Sequence, residues 1–374
     1  MTLQVVESTV RPLKLLEVSG SPRERGHQQG TQLKAGVHRM LKQEFYDYFA
    51  KENVSKETLL QFAAKHIPFV QEYSPETFQI MEGIAEGSGA SIEEVTLIQM
   101  HEEMHTPKDK CAVYRDHCTS FGATGPATVG GETFIGQNWD FHTEIYWNGE
   151  APFLLHETRT DGPNLLAYNA PGFVTWAGMN SNGLCLSWNS VPRRNLDVGV
   201  PTYVIISEVL RSKNIGDALA AVVRAKRAGC FNFVVADENG EVYDIEATPD
   251  DIDVSYFDRT MGHANHYLRL KYKDGQMAET VAYSPDKKEA NMASVVHQNR
   301  MDKLLAQSSP NIDLEACERI LRDHVNYPYS ICSHESETKH SITFDSWVMV
   351  PRKHEWWIAR YPACQNEYVK YAAN

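Results

Sequence analysis

Apolar residues recur at helical spacing through the first hundred positions and at strand spacing through much of the rest. Between Glu24 and Lys51, Leu33, Val37, Met40, Leu41, Phe45 and Phe49 form one stripe, which predicts an amphipathic helix. Thr58–Phe69 and Pro75–Ile84 continue in the same style. Ser91-Ile92-Glu93-Glu94 reads as a capping box that opens another helix. The period changes near residue 115. Cys118–Thr124 and Thr133–Trp139 predict two strands joined across Gly130-Gly131. Further strands are expected at Pro152–Thr158, Leu165–Ala170, Thr175–Met179 and Leu184–Asn189. Val200–Arg224 is predicted helical. Phe231–Ala236 and Glu241–Ile245 flank Asp237-Glu238-Asn239-Gly240, a strong hairpin signal. Ala290–Leu305 and Leu314–His324 predict helices, and Ser341–Val350 with Glu355–Arg360 a last hairpin. Strands grouped between groups of helices argue for antiparallel sheets layered against helices, an α+β fold.

Composition narrows the function. The 374 residues carry a formal net charge of −13, which disfavours nucleic acid and anionic membranes as partners. No apolar run approaches the roughly 20 residues of a membrane span, and Met1–Leu16 has no apolar signal-peptide centre. Seven cysteines, at 111, 118, 185, 230, 317, 332 and 364, form no CxxC pair. Free thiols in a reducing cytoplasm fit that pattern. Most of them read as small buried hydrophobes.

One cysteine stands apart. Asp116-His117-Cys118-Thr119-Ser120-Phe121-Gly122 heads the first predicted strand, and Gly136-Gln137-Asn138-Trp139-Asp140 ends its companion in a carboxylate. A free thiol has a pKa near ~8.5, whereas an α-amino group titrates at about 7.7–8.0. If the chain is cut before Cys118, thiol and base belong to one residue. The thiol can itself attack the preceding carbonyl, take the acyl group onto sulfur and leave the thioester to water.

Cys118-Thr119-Ser120-Phe121-Gly122 with Gly136-Gln137-Asn138-Trp139-Asp140 resembles the acyl-coenzyme A:6-aminopenicillanic acid acyltransferase family, peptidase family C45, among the N-terminal nucleophile hydrolases. Gly83-Ile84-Ala85-Glu86-Gly87, Phe231–Asp237, Ile245–Pro249, His263-Ala264-Asn265-His266, Ile331–His334 and Pro362–Tyr368 are similar to further family segments, in order. The resemblance implies a four-layer αββα sandwich with a helical N-terminal region. It implies self-cleavage between His117 and Cys118 into residues 1–117 and 118–374, which stay together as a heterodimer. It makes Cys118 the nucleophile, Asp140 the carboxylate beside the new ammonium, Asn232 a donor to the oxyanion and Arg300 a residue used in maturation. The family often has glycine where this chain has His117, so cleavage is expected to be slower or differently assisted.

The expected reaction is hydrolysis of the linear amide bond of a small N-acyl compound through a thioester. The alternative is transfer of the acyl group to an amine such as a 6-aminopenicillanic-acid-like acceptor. No Gly-rich phosphate loop accompanies a strand, so no cofactor is expected, coenzyme A included. Phe121, Tyr146 and Trp147 are the candidate walls for an apolar acyl group. A rival of another class rests on His101-Glu102-Glu103-Met104-His105, which matches HExxH. On a helix its two histidines share a face and could hold zinc, with Glu102 as base, in a metallopeptidase. Pro107 ends that helix early, and the expectation is of no catalytic metal.

Overall fold

The computed structural model describes residues 12–105, 118–142, 151–191, 197–270, 282–284, 289–291, 293–335 and 341–372. His117, Tyr146 and Trp147 lie outside them.

Two sheets carry the molecule. The first runs in the order β1 (Leu15–Gly20), β4 (Phe153–Arg159), β5 (Leu165–Asn169), β6 (Ala177–Asn180), β7 (Cys185–Ser190), β8 (Phe231–Ala236), β9 (Val242–Ala247), β10 (Ile252–Phe257). The second runs β11 (Thr260–His263), β2 (Thr119–Ala123), β3 (Phe134–His142), β14 (Ser341–Val350), β15 (Glu355–Arg360), β16 (Val369–Ala372). A short hairpin, β12 (Ala282–Ser284) with β13 (Glu289–Asn291), stands apart. β1 pairs parallel with β4, and every pair of the second sheet is antiparallel.

The sheets pack face to face, with β2 and β3 against β7 and β8. Side chains cross the gap. The Gln137 amide donates to Trp188 O at 2.6 Å and accepts from Trp188 N at 3.1 Å. Trp347 Nε1 donates to Ser187 Oγ at 3.1 Å, and Tyr168 Oη donates to Asp345 Oδ2 at 2.5 Å. The helices Ala293–Ser308 and Leu314–Leu321 cover the outside of the second sheet. Thr202–Arg211 lies outside β6 and β7 and packs in turn on Ile215–Arg224 and the N-terminal helices. The result is a four-layer αββα sandwich. The central strands bury both faces and read as near-continuous apolar runs: Phe231–Ala236 and Leu165–Asn169 are buried throughout, whereas the edge strands β1, β10 and β16 are partly exposed.

Three differences from the sequence reading matter. The helix expected over Val200–Arg224 is two, because Asn214 Oδ1 accepts from Asp217 N at 2.9 Å and caps a fresh start at Ile215. The stripe from Glu24 to Lys51 is buried as expected, but on successive segments with a π-helical turn at Leu41–Asp47. β1, β10, β11 and β16 were not expected as strands; β11 exists by pairing His263 with Ser120 and Thr260 with Ala123. Among the described residues, no helix is long and apolar enough to cross a membrane.

Candidate active site

Side chains alternate along a strand, and that decides which face each site residue occupies. Cys118 immediately precedes β2 and is 7% exposed, packed in the large apolar cluster that fills the space between the sheets. Ser120 and Gly122 follow on the same face. Gly122 is there because a Cβ would lie 2.7 Å from Val242 Cγ1 of the opposite sheet. Thr119 and Phe121 point the other way. Thr119 Oγ1 lies 2.9 Å from His297 Nδ1 of the Ala293–Ser308 helix, and Phe121 packs with Met301, Leu305 and Ile331 beneath the helices. Phe121 is therefore core on the face away from Cys118, not a wall of its pocket.

The companion motif divides its five residues between both faces. Gly136 accommodates the Phe121 ring, since a Cβ would come within 2.4 Å of Phe121 Cε1. Gln137 ties the two sheets together through Trp188. Asn138 Nδ2 donates to Leu321 O and Ile331 O, both at 2.8 Å, and anchors the outer helix and the loop after it. Trp139 enters an aromatic group with Tyr168, Trp176, Phe141 and Phe344, at centroid distances of 5.0–5.6 Å. Asp140 is fully buried and its Oδ1 accepts from Thr343 Oγ1 at 2.7 Å. Thr119 pairs with Asn138, so the antiparallel register sets Cys118 opposite Trp139; Asp140 follows on the same strand, its side chain on the outward face with Asn138, against Thr343.

Across the gap, β8 contributes Asn232. Its neighbours Phe231 and Phe233 stack on each other at 4.0 Å, and Asn232 takes the other face. It is paired in register with Asn189 and Glu246. Both of those reach the second sheet: Asn189 Nδ2 donates to His263 O at 2.6 Å and Ala264 O at 3.0 Å, and Glu246 Oε1 lies 3.0 Å from His263 Nε2. Asn232 thus faces the same layer as Cys118. Its amide nitrogen, however, is turned to the Asp244 carboxylate, with a second, 3.4 Å contact to Ile245 O. An ionised carboxylate only accepts, which fixes the orientation of the amide. Ser120 Oγ, Asn189 Oδ1 and Asn232 Oδ1 are buried without partners among the described residues. Such groups in a core call for water or ligand.

Asp244, Glu246, His263 and Arg269 form a network that sequence reasoning did not find. Arg269 pairs with Asp244 at 2.5 Å and with Asp253 at 2.6 Å. Glu246 also accepts the Arg269 and Leu270 amides at 3.0 and 2.7 Å. Burial alone would push the Glu246 carboxyl up. The His263 hydrogen bond and charge, with Arg269 and the Leu270 amide, outweigh it and hold the group at about 2. Folding therefore gains from ionised Glu246 above its ordinary pKa of 4.5, and that gain is lost as pH falls from 4.5 towards about 2. Glu246→Gln is expected to be less stable than the parent at pH 7, by a few kcal/mol, and to lose less further stability over that acid range. Urea midpoints measured from pH 7 to pH 2.5 check this; parallel curves for both proteins would contradict it.

Arg300 sits on the Ala293–Ser308 helix and forms a fork with Asp323, Nε to Oδ1 at 2.9 Å and Nη2 to Oδ2 at 2.5 Å. That pair ties the helix to the Asp323 loop outside the second sheet. The HExxH segment is a five-residue helix, His101–His105. Its imidazoles stand 4.3 Å apart, centroid to centroid, and His101 Nε2 lies 3.6 Å from Glu44 Oε2. Burial pushes both histidines down to about 3, so both are neutral at pH 7. Phe45 packs against both rings, Tyr48 and Phe49 against His105, and Phe141 and Phe173 against His101. Glu103 accepts from Thr202 N and Oγ1, both at 2.7 Å, at the start of the Thr202–Arg211 helix.

Residues 128–360 match the model of the family described as acyl-coenzyme A:6-aminopenicillanic acid acyl-transferase. The chain belongs to that family. It is an enzyme family, and the match spans β3, Asp140, Asn232 and Arg300. An acyl-coenzyme A:6-aminopenicillanic-acid-acyltransferase 40 kDa form from Emericella nidulans is 23% identical over 325 residues, covering 86% of this chain and 84% of that one. An uncharacterized protein from Archaeoglobus fulgidus is 25% identical over 273 residues, 65% of this chain and 45% of its own length. Distant likenesses among solved structures include a mutant conjugated bile acid hydrolase from Clostridium perfringens (TM-score 0.43, 13% identity, 69% of this chain and 97% of that one). Another is penicillin V acylase from Agrobacterium tumefaciens (TM-score 0.38, 12% identity, 65% and 83%).

Proposed function

We propose that this family member is a self-processing cysteine amidohydrolase acting on the linear amide of a small N-acyl compound. What supports the reading is the seat of Cys118. It heads β2 on the inter-sheet face, with the Asp140 carboxylate on the adjacent strand and Asn232 facing the same layer.

Maturation begins when the Cys118 sulfur adds to the carbonyl carbon of residue 117. The C–N bond breaks, the acyl group moves to sulfur, and the nitrogen becomes the α-amine of Cys118. Water then cleaves the thioester, leaving a carboxylate on residue 117 and restoring the thiol. In turnover the amine takes the thiol proton as sulfur attacks the substrate carbonyl. Asp140 steadies the ammonium so formed. The weakly engaged second N–H of Asn232, held in place by Asp244, supplies a donor to the tetrahedral oxyanion. The proton passes to the leaving amine, and water repeats the sequence to release the acid. Trp139, Tyr168 and Trp176 give an apolar acyl group a wall on the Cys118 side of the sheet.

Transfer to an amine is the second reading, favoured by the name of the Emericella relative. It shares the thioester, and an added amine that outcompetes water for the acyl group would establish it. Intact-mass analysis of purified protein tests the shared core. Two pieces, residues 1–117 and 118–374, are expected to replace the 42.3 kDa chain. A fully active protein of one uncut mass would overturn the mechanism.

A further inference from the structure

His324, Cys332, His334 and Cys364 come from three separate segments: the stretch after the Leu314–Leu321 helix, the loop before β14, and the stretch after β15. Their ligand atoms all lie within 4.8 Å of one another. His334 Nε2 is 3.7 Å from Cys332 Sγ and 3.6 Å from Cys364 Sγ, and His324 Nε2 is 2.9 Å from His334 Nε2. We propose that these four residues form a structural Cys2His2 zinc site outside the catalytic centre.

The donor set and spacing fit tetrahedral zinc. Bonds of about 2.3 Å to sulfur and about 2.05 Å to nitrogen put an S–N ligand pair roughly 3.6 Å apart. The two measured S–N separations match. The His324–His334 separation has to open by about 0.4 Å to reach the roughly 3.3 Å of an N–N pair, and His324, at the exposed edge, is the side chain with room to move. Two thiolates and two neutral imidazoles balance the ion's charge, the two thiol protons going to solvent. Thiolate with imidazole selects zinc over the hard, oxygen-seeking cations.

The backbone already prepares the site. Cys332 N donates to Asp323 O at 3.0 Å. Arg322 bridges to the third segment, donating to Ala363 O at 3.3 Å and Asn366 O at 2.8 Å. Neither loop has a large core of its own, and a tetrahedral ion would clamp the two together. The clamp bears on Asp140. Ser333, between two of the ligands, donates its N to Thr343 Oγ1 at 2.8 Å and accepts Thr343 N at 3.0 Å. Thr343 Oγ1 in turn donates to Asp140. The ion would thus hold the residue that holds the carboxylate.

The test reads metal directly, so its outcome is independent of the proposed reaction. Protein purified from zinc-supplemented cells is expected to carry one zinc per chain. Cobalt(II) added to the stripped protein should give the thiolate charge-transfer band and the visible bands of a tetrahedral S2N2 site. Cys332→Ser with Cys364→Ser should abolish both signals, and His324→Gln should weaken zinc binding at least ~10-fold while leaving the chain folded. His101→Ala, in the other histidine cluster, should retain the full zinc content. The proposal is overturned by a wild-type chain that takes up neither zinc nor cobalt, or by a Cys332–Cys364 disulfide seen as a mass deficit of two hydrogens. Metal that leaves with His101→Ala but stays with His324→Gln overturns it equally.

Discussion

Cys118→Ala is expected to remain one uncut 42.3 kDa chain and to lose turnover by roughly 10⁴-fold or more. The loss is expected to be large because, in the proposed mechanism, one atom serves both reactions. Without sulfur no acyl shift breaks the bond to residue 117, and without that break no α-amine appears beside the substrate. The variant should still fold. Cys118 is a small, buried residue in the inter-sheet cluster, and alanine removes only its sulfur. Its circular dichroism and thermal midpoint are therefore expected to stay near those of an uncut parent. The checks are a denaturing gel and steady-state turnover on an N-acyl amide. A normally cut alanine variant, or one with turnover within tenfold of the parent, would remove Cys118 from the mechanism.

The second large effect is expected at Asp140. Asp140→Asn should lower kcat by about 10²–10³-fold with a smaller change in KM, and slow the appearance of the two pieces. The substitution keeps the shape and the acceptor for Thr343 Oγ1, so the strand pair β3–β14 stays closed. What it removes is negative charge buried on the strand next to Cys118. The amine must become an ammonium when it takes the thiol proton, and in a buried layer an unbalanced cation is costly. The effect should therefore fall on the reacting state more than on substrate binding. Thr343→Val, which spares the charge, should fall between Asp140→Asn and the parent. Normal maturation and normal kcat in Asp140→Asn would exclude the role.

The site was legible in the sequence to the extent that it follows a local period. Asn232 between two phenylalanines had to face away from them, and it does. Phe121 is three residues from Cys118, an odd step along a strand, and so lies on the other face, under the helices. The placement of Phe121 could have been read from that parity. The strand character of β11 could not. Thr260-Met261-Gly262-His263 has no alternating pattern, and its extended form comes from the partner strand β2. Nor could the Asp244–Glu246–His263–Arg269 network, since its charged members read locally as ordinary polar positions in and after a hairpin. The same holds for the four metal-ligand candidates, spread from 324 to 364.

The sequence by itself determined most of the helices and the central strands, where Cys118 stands and which neighbours share its family's motif. Those properties depend on periods of two and 3.6 residues and on a few unusual residue types. Only the tertiary structure decided what meets across the gap between the sheets. It turned the Asn232 amide towards Asp244, seated Asp140 under Thr343 and gathered two cysteines and two histidines at the far side of that threonine. Such contacts depend on how sheets stack and where loops return, and no periodicity along the chain encodes them.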